Sequence, residues 1–203
     1  MRDWWLRTLL VLQRPRPVFA ALRDDSREAA ADRSEPVLLI VLLAGVAIAL
    51  GSSAGARLAD DRTYDGLLIA VWAFLAGAIS GLSAYFGLGA VLFGAVKALG
   101  SQGSYRRARH VLAFASVPIA LSLVVWPVKL ALYGEDWFRT GGGDTGTGGV
   151  LFDLVELAFF LWSGVLLVVG VRTVHGWTLA RAGAACAIAV VAPLAVVLLL
   201  RSV

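Results

Sequence analysis

The sequence predicts an all-α polytopic membrane protein: a bundle of five transmembrane helices preceded by amphipathic helices at the membrane interface. Of its 203 residues, 59% are hydrophobic and 16% are charged, whereas an average soluble domain is about 45–50% apolar and about 25% charged. Five apolar stretches approach or exceed the roughly 20 residues that a helix needs to cross a bilayer. None alternates polar and apolar residues as a membrane-spanning strand does. These observations exclude a soluble globular domain and a disordered chain.

The predicted membrane domain covers residues 36–203. Its second apolar stretch is too short for two spans with a turn, so one long helix is expected there. Pro118 and Pro127 are expected to bend the third span, because each proline removes a backbone hydrogen bond. The five predicted spans are about 37–56, 67–96, 109–132, 150–171 and 182–200.

Residues 1–35 are expected to form a cytosolic segment that lies at the membrane surface. Trp4 and Trp5 stand beside Arg2 and Arg7, a combination typical of a helix at the lipid headgroups. The alternative is a loosely ordered tail. A cleavable signal peptide is not expected, because a charge interrupts the apolar stretch and no small-residue cleavage site follows it.

The distribution of basic residues predicts the orientation in the membrane. With five spans, the N-terminal segment and the loops after the second and fourth spans share one side and hold 13 of the 18 lysines and arginines. Because cytosolic loops carry the excess of Lys and Arg, the N-terminus is expected in the cytosol and the C-terminus outside. The strong preference for arginine over lysine suggests a GC-rich bacterial genome, and hence the bacterial cytoplasmic membrane.

The cytosolic loops are the predicted contact surface for a protein partner or for anionic lipid headgroups. Each basic residue near a membrane surface adds about 1 kcal/mol of attraction to anionic lipid. A nucleic-acid partner is not expected, because the loops lack the interleaved aromatic residues of such a platform. The predicted contact residues are Tyr105, Arg106, Arg107, Arg109, His110, Arg172, His175 and Arg181.

No metal, cofactor or catalytic site is predicted. His110 and His175 have no second ligand at metal-binding spacing. No serine or cysteine nucleophile has an acid–base pair near it in the sequence. An enzyme is therefore not expected.

Three ionisable residues lie inside the predicted outer ends of two consecutive spans. Lys129 is near the end of the third span, and Asp153 and Glu156 are near the start of the fourth. Because directly connected spans are expected to be neighbours, we predict that Lys129 pairs with Glu156 or Asp153. Ionisable groups within a membrane also serve ion transport and proton relays, so a structural pair and a functional one both stay open.

Small residues recur at four-residue spacing and predict close helix packing. Gly77 and Gly81 follow this spacing in the second span, and Gly51 and Gly55 follow it in the first. Such rows let two helix backbones approach closely. The contact is expected either within the bundle or at the seam of a homodimer.

Four segments carry a resemblance to a known family: 15–22, 34–36, 100–110 with the following Pro118, and 170–182. In these segments the chain resembles the Yip-domain family of Ypt/Rab-interacting membrane proteins, in its prokaryotic branch. The resemblance implies five spans, a cytosolic N-terminus and no enzymatic activity. For eukaryotic members it implies a role in vesicle traffic through Rab GTPases.

Two functions remain open from the sequence. The leading hypothesis is a non-catalytic membrane organiser or adaptor that uses the cytosolic loops. The alternative is a small permease or channel subunit, which would need a polar cavity at the middle of the bilayer. The polar residues near the span centres are Ser80, Ser83, Ser116, Ser122 and Ser163.

Overall fold

A computed structural model describes residues 2–60, 66–134 and 146–201, and it places nearly all of them in helices. No strand occurs among these residues. The helices are α1 (Arg2–Gln13), α2 (Pro15–Ala21), α3 (Arg27–Asp32), α4 (Ser34–Leu50), α5 (Ser53–Asp60), α6 (Gly66–Ala98), α7 (Tyr105–Ala115), α8 (Val117–Leu121), α9 (Val125–Tyr133), α10 (Thr147–His175) and α11 (Leu179–Arg201).

Three stretches are long and apolar enough to cross a membrane: α6, the run from α7 to α9, and α10. Helix α4 and the apolar part of α11 over Leu179–Val191 are shorter. Together they make this an all-α polytopic membrane protein, as the composition predicted. The number of five spans remains a prediction, because it depends on the two shorter helices.

Helix α6 is one continuous helix of 33 residues. At about 1.5 Å per residue its length is about 50 Å, well beyond a hydrocarbon core of about 30 Å. The prediction of a single long helix, and not a hairpin, is confirmed.

The predicted third span is divided into segments where its prolines require it. Helix α7 ends at Ala115, and the hydroxyl of Ser116 donates to the Ala113 carbonyl at 2.8 Å. Pro118 then occupies the first turn of α8, where its missing N–H is not needed. A short 3-10 turn, Ser122–Val124, precedes α9 and its Pro127.

The predicted first span, 37–56, is wrong at its C-terminal end. Helix α4 stops at Leu50, and the chain turns at Gly51 before α5 begins. Glycine favours this break because holding it in a helix costs more conformational entropy than for other residues. The hydroxyl of Ser52 accepts a hydrogen bond from the Gly55 N–H at 3.2 Å at the start of α5. The predicted row of Gly51 and Gly55 on one helix therefore does not exist. A Cβ on Gly55 would instead lie 2.7 Å from the Leu50 carbonyl oxygen.

The other predicted glycine row lies at the contact between α4 and α6. A Cβ on Gly77 would lie 2.6 Å from the Cα of Val46, and one on Gly45 would lie 2.8 Å from the Cα of Gly81. The two backbones approach so closely that only glycine fits at these positions. This is the internal-packing alternative: Gly77 and Gly81 face a helix of the same chain and not the seam of a dimer.

The N-terminal helices share one hydrophobic core with the membrane helices. Val11, Phe19 and Leu22 are each 0% exposed and pack in the same cluster as Phe114 of α7 and Leu166 of α10. The N-terminal segment therefore packs against the membrane helices as part of the bundle. The apolar residues of α1 that remain exposed are Trp5, Leu6, Leu9 and Leu10.

Candidate functional site

One end of the bundle gathers most of the basic side chains. It is built from α1–α3, the last turns of α6 and α10, the first turns of α7 and α11, and the two connections between them. We call it the arginine-rich end. The basic residues it carries among the described side chains are Arg7, Arg14, Arg16, Arg23, Arg27, Arg33, Lys97, Arg106, Arg107, Arg109, Arg172 and Arg181.

The most buried cation of this end is Arg33, the residue that immediately precedes α4, and its side chain is 0% exposed. Its Nε donates to His110 Nδ1 at 2.7 Å and its Nη1 donates to the Asp24 carbonyl at 2.8 Å. Its Nη2 lies 3.4 Å from an Asp25 carboxylate oxygen. Burial lowers the pKa of the Arg33 guanidinium, and the two aspartates partly offset that effect.

The contact with Arg33 determines the state of His110. Because Nδ1 accepts the hydrogen bond, the imidazole is neutral and carries its proton on Nε2. His110 is only 5% exposed. The structure therefore does not place this predicted contact residue on the outer surface, but beneath Arg33.

Arginine side chains also tie the N-terminal helices to the rest of the bundle. Arg107 Nη2 donates to the Arg23 carbonyl at 2.7 Å, and Arg23 Nε donates to the Thr173 carbonyl of α10 at 3.2 Å. The Ser104 hydroxyl donates to the carboxylate of Asp25. These bonds connect α2, α3, α7 and α10, so Arg107 has a structural partner.

Arg109 lies in an aromatic cage. Its guanidinium carbon is 5.0 Å from the ring centroid of Tyr85, 4.7 Å from that of Phe86 and 4.6 Å from that of Tyr105. The Tyr105 hydroxyl donates to the Phe86 carbonyl at 2.7 Å. Cations over aromatic faces are attracted by the ring quadrupole. Arg109 and Tyr105 thus connect α7 to the middle of α6.

The connection between α6 and α7 meets the end of α10 through a serine–histidine contact that sequence spacing could not predict. Ser101 Oγ lies 3.1 Å from His175 Nδ1 and accepts the Gly103 N–H at 2.9 Å. Ser101 is 4% exposed. Among the described residues, the charged neighbours of His175 are Arg107 and Arg181 and not a carboxylate. Within the described parts of the chain the pair has no orienting acid like that of a catalytic triad, and it joins the α6–α7 connection to the end of α10.

Of the predicted contact residues, Arg172 and Arg181 are exposed and Arg106 is half-buried. Arg181 donates to the Leu99 carbonyl, and its guanidinium carbon lies 4.3 Å from the Trp177 ring centroid. Arg172 lines a cavity of about 330 Å³ together with Arg16 and Arg23. Sequence reasoning missed Arg16, Arg23 and Arg33 as site residues because it treated them only as flanking charge.

The opposite end of the bundle holds the predicted ion pair, and we call it the lysine end. Lys129 of α9 is 5% exposed and forms an ion pair with Glu156 of α10. Its Nζ lies 5.4 Å from the Trp126 ring centroid and 5.6 Å from that of Phe152. Asp153, the other predicted partner, is exposed. Of the two predicted pairings, the structure shows the one with Glu156.

The spaces between the membrane helices are apolar. A groove of about 150 Å³ lies between α4, α6, α7, α8 and α10, with Ser116 and Ser163 on its wall. Both hydroxyls donate to backbone carbonyls, Ser163 to Ala115 at 2.7 Å and Ser116 to Ala113 at 2.8 Å. Within the described parts of the chain, no group of three or more His, Cys, Asp or Glu residues is placed to hold a metal ion.

Comparison with known proteins agrees with this architecture. The family model of the Yip1 domain matches residues 9–201, nearly the whole chain. No curated protein and no solved structure gives a significant match. The match begins within α1 and ends with α11, so it includes both the N-terminal helices and the membrane helices. The chain belongs to the Yip1-domain family of membrane proteins.

Proposed function

We propose that this protein is a non-catalytic membrane organiser or adaptor whose arginine-rich end gathers an anionic partner, either anionic lipid or an acidic protein surface. The observation that supports this most directly is the division of its arginines into two groups. Arg33, Arg107 and Arg109 are used inside the fold, whereas Arg14, Arg16, Arg27 and Arg172 are exposed. The first group builds a firm platform, and the second is available on its surface.

The proposal includes an orientation. The arginine-rich end faces the cytosol, because cytosolic loops carry the excess of basic residues. The protein then resides in the bacterial cytoplasmic membrane with its N-terminus in the cytosol and its C-terminus outside. Anionic lipid attracts each arginine near its surface by about 1 kcal/mol.

A permease or channel subunit receives less support. Transport of a polar solute needs polar groups that face a path through the bilayer. The hydroxyls of Ser80, Ser116, Ser122 and Ser163 donate instead to nearby backbone carbonyls. The groove between the helices is lined mainly by apolar side chains.

The test uses a charge reversal at the surface of the platform. Arg27→Glu with Arg106→Glu changes two residues that make no hydrogen bond or ion pair with the described side chains. Arg107 is left intact because its side chain holds the Arg23 carbonyl. Arg57→Glu, an exposed residue of α5 beyond the other end of α4, is the control.

The measurement is the lipid and protein content of native membrane discs extracted with a polymer. We expect anionic phospholipid, or a stoichiometric protein companion, to be enriched with the wild-type chain and reduced at least about twofold by the double reversal. Arg57→Glu should leave the enrichment unchanged. Discs of the wild-type protein with bulk lipid composition and no companion would contradict the proposal.

A further inference from the structure

The cavity of about 330 Å³ at the arginine-rich end lies between α2 and the C-terminal end of α10. The residues that line it include Arg16, Arg23, Arg172 and Trp177. No aspartate or glutamate of the described residues lines it. Three cations therefore share a space whose wall supplies no compensating negative charge.

The convergence of these arginines follows from the packing of α2 on α10. Phe19 is 0% exposed and lies against Gly170, where an added Cβ would be 2.8 Å from the ring. The absence of a side chain at Gly170 lets α2 approach this closely. Arg16 lies one turn before Phe19, and Thr173 lies one turn after Gly170. The same contact therefore brings residues of both helices to one cavity, whose lining includes Arg16, Arg172 and Thr173.

The three arginines have different tasks. Arg23 donates to the Thr173 carbonyl and thereby meets the partial negative charge at the C-terminal end of α10. Its own carbonyl is held by Arg107. The side chains of Arg16 and Arg172 are exposed and make no hydrogen bond or ion pair within the described parts of the chain. Like charges so placed repel each other, and a bound anion removes that cost.

We propose that this cavity binds a phosphate group, which the headgroup of an anionic phospholipid supplies. Planar guanidinium groups match phosphate oxygens with paired, charge-assisted hydrogen bonds. A volume of about 330 Å³ is within the usual size of small-ligand sites and exceeds what a single water needs. Trp177 is a residue type enriched at the level of lipid headgroups. The inference deepens the proposed function, on which it rests, by assigning one defined site to the lipid.

The test measures saturable binding to the full-length protein in zwitterionic nanodiscs. One arm titrates phosphatidylglycerol into the discs, and the other adds inorganic phosphate to the solution. Arg16→Gln with Arg172→Gln removes the free guanidinium groups and keeps the bonds of Arg23. Arg57→Gln with Lys97→Gln is the control, because it removes the same amount of charge from two exposed positions that do not line the cavity.

We expect one phosphatidylglycerol site per chain, weakened at least about tenfold by the cavity variant and less than about twofold by the control. Arg16→Lys with Arg172→Lys should weaken it to an intermediate extent, because lysine keeps the charge and loses the paired hydrogen bonds. This lysine variant keeps the test informative if the glutamine variant is poorly folded. Saturable binding of inorganic phosphate with the same dependence, and none of lipid, supports the phosphate site and overturns the lipid as its source.

Equal losses in the cavity variant and in the control would overturn the site, because only the total charge would then matter. Absence of saturable binding in both arms would overturn it as well. Neither result removes the proposed function if the native discs still show anionic lipid or a companion that depends on Arg27 and Arg106. Loss of that enrichment would defeat the function itself, so the two failures are distinguishable.

Discussion

The two ends of the bundle hold their cationic side chains with different partners. At the lysine end, Lys129 is paired with a carboxylate, Glu156, so the charges cancel. At the arginine-rich end only part of the charge is paired: Arg33 lies 3.4 Å from an Asp25 carboxylate oxygen. Arg23 and Arg107 donate to backbone carbonyls, and Arg109 lies among aromatic rings. Carbonyls and rings accept a cation without cancelling its charge. The Lys129–Glu156 pair is therefore electrically balanced, whereas the arginine-rich end keeps a net positive charge after folding.

This difference separates charges that only stabilise the fold from charges that can also attract a partner. An ion pair within a helical bundle stabilises a contact and leaves little field outside. A guanidinium on a carbonyl stabilises a contact and also attracts anions, since its net charge remains. The comparison predicts that removing a cation lowers the free energy of unfolding most where the cation is fully buried. The loss is smaller where the carboxylate partner is removed together with the cation.

The largest expected effect is at Arg33. Arg33→Met removes the donors to His110 and to the Asp24 carbonyl and leaves Asp25 without its cation. Loss of one partner from a buried charged cluster typically costs about 3–5 kcal/mol. This loss is measured as the change in the free energy of unfolding in mixed micelles.

The control is Arg27→Met, at an exposed position of α3, which should change that free energy by no more than about 0.5 kcal/mol. Equal effects of the two variants would show that burial of Arg33 does not matter.

An intermediate effect is expected between the ends, where no charge is involved. In Gly77→Ala the new methyl group would lie 2.6 Å from the Cα of Val46, so α4 and α6 must separate. Overpacking of this kind costs about 1–3 kcal/mol. Gly87→Ala on the same helix is the matched control, because nothing lies within 4 Å of its Cβ position. It should be neutral or slightly stabilising, since alanine favours the helix. A destabilised Gly87→Ala would point to α6 itself and not to its contact with α4.

The smallest effect is expected at the lysine end. Glu156→Gln should cost about 1–2 kcal/mol, because Lys129 loses its counter-charge while it remains buried. Removing both charges, as Lys129→Met with Glu156→Leu, should restore most of the loss. Asp153→Asn, at an exposed position one turn away, should have little effect. The same unfolding assay compares the three variants. If the double variant kept its stability but no longer enriched anionic lipid or a companion in native discs, the pair would have a functional role besides its structural one.

Much of the fold was predictable because the bilayer imposes simple rules. Helix lengths, the single long α6 and the interruptions near Pro118 and Pro127 follow from hydrophobic length and from backbone chemistry. The end of α4 was not predictable from hydropathy alone. Residues 51–56 are small and uncharged, but Gly51 and Ser52 favour a turn and a new helix start. Hydropathy does not distinguish an apolar helix from an apolar turn.

The candidate site was predictable in part. The arginine-rich loops were identified by charge, whereas the internal use of Arg107, Arg109 and His110 depends on tertiary contacts that no local pattern contains. Arg33 did have a local signal. A cation directly before a helix is unfavourable for the helix dipole, so an arginine at the start of α4 needs a partner elsewhere. Its side-chain partners are the Asp25 carboxylate, eight residues before it, and His110, 77 residues away.

The contact of Phe19 with Gly170, and that of Arg23 with Thr173 150 residues later, set an order for biosynthesis. At roughly 5–20 residues per second, the ribosome needs roughly 8–30 s to deliver the second partner after the first. Helix α2 cannot dock on α10 during that interval, although α1 can already pack against α7 and α8. Docking of α2 can therefore occur only after the ribosome has synthesised the fourth apolar stretch.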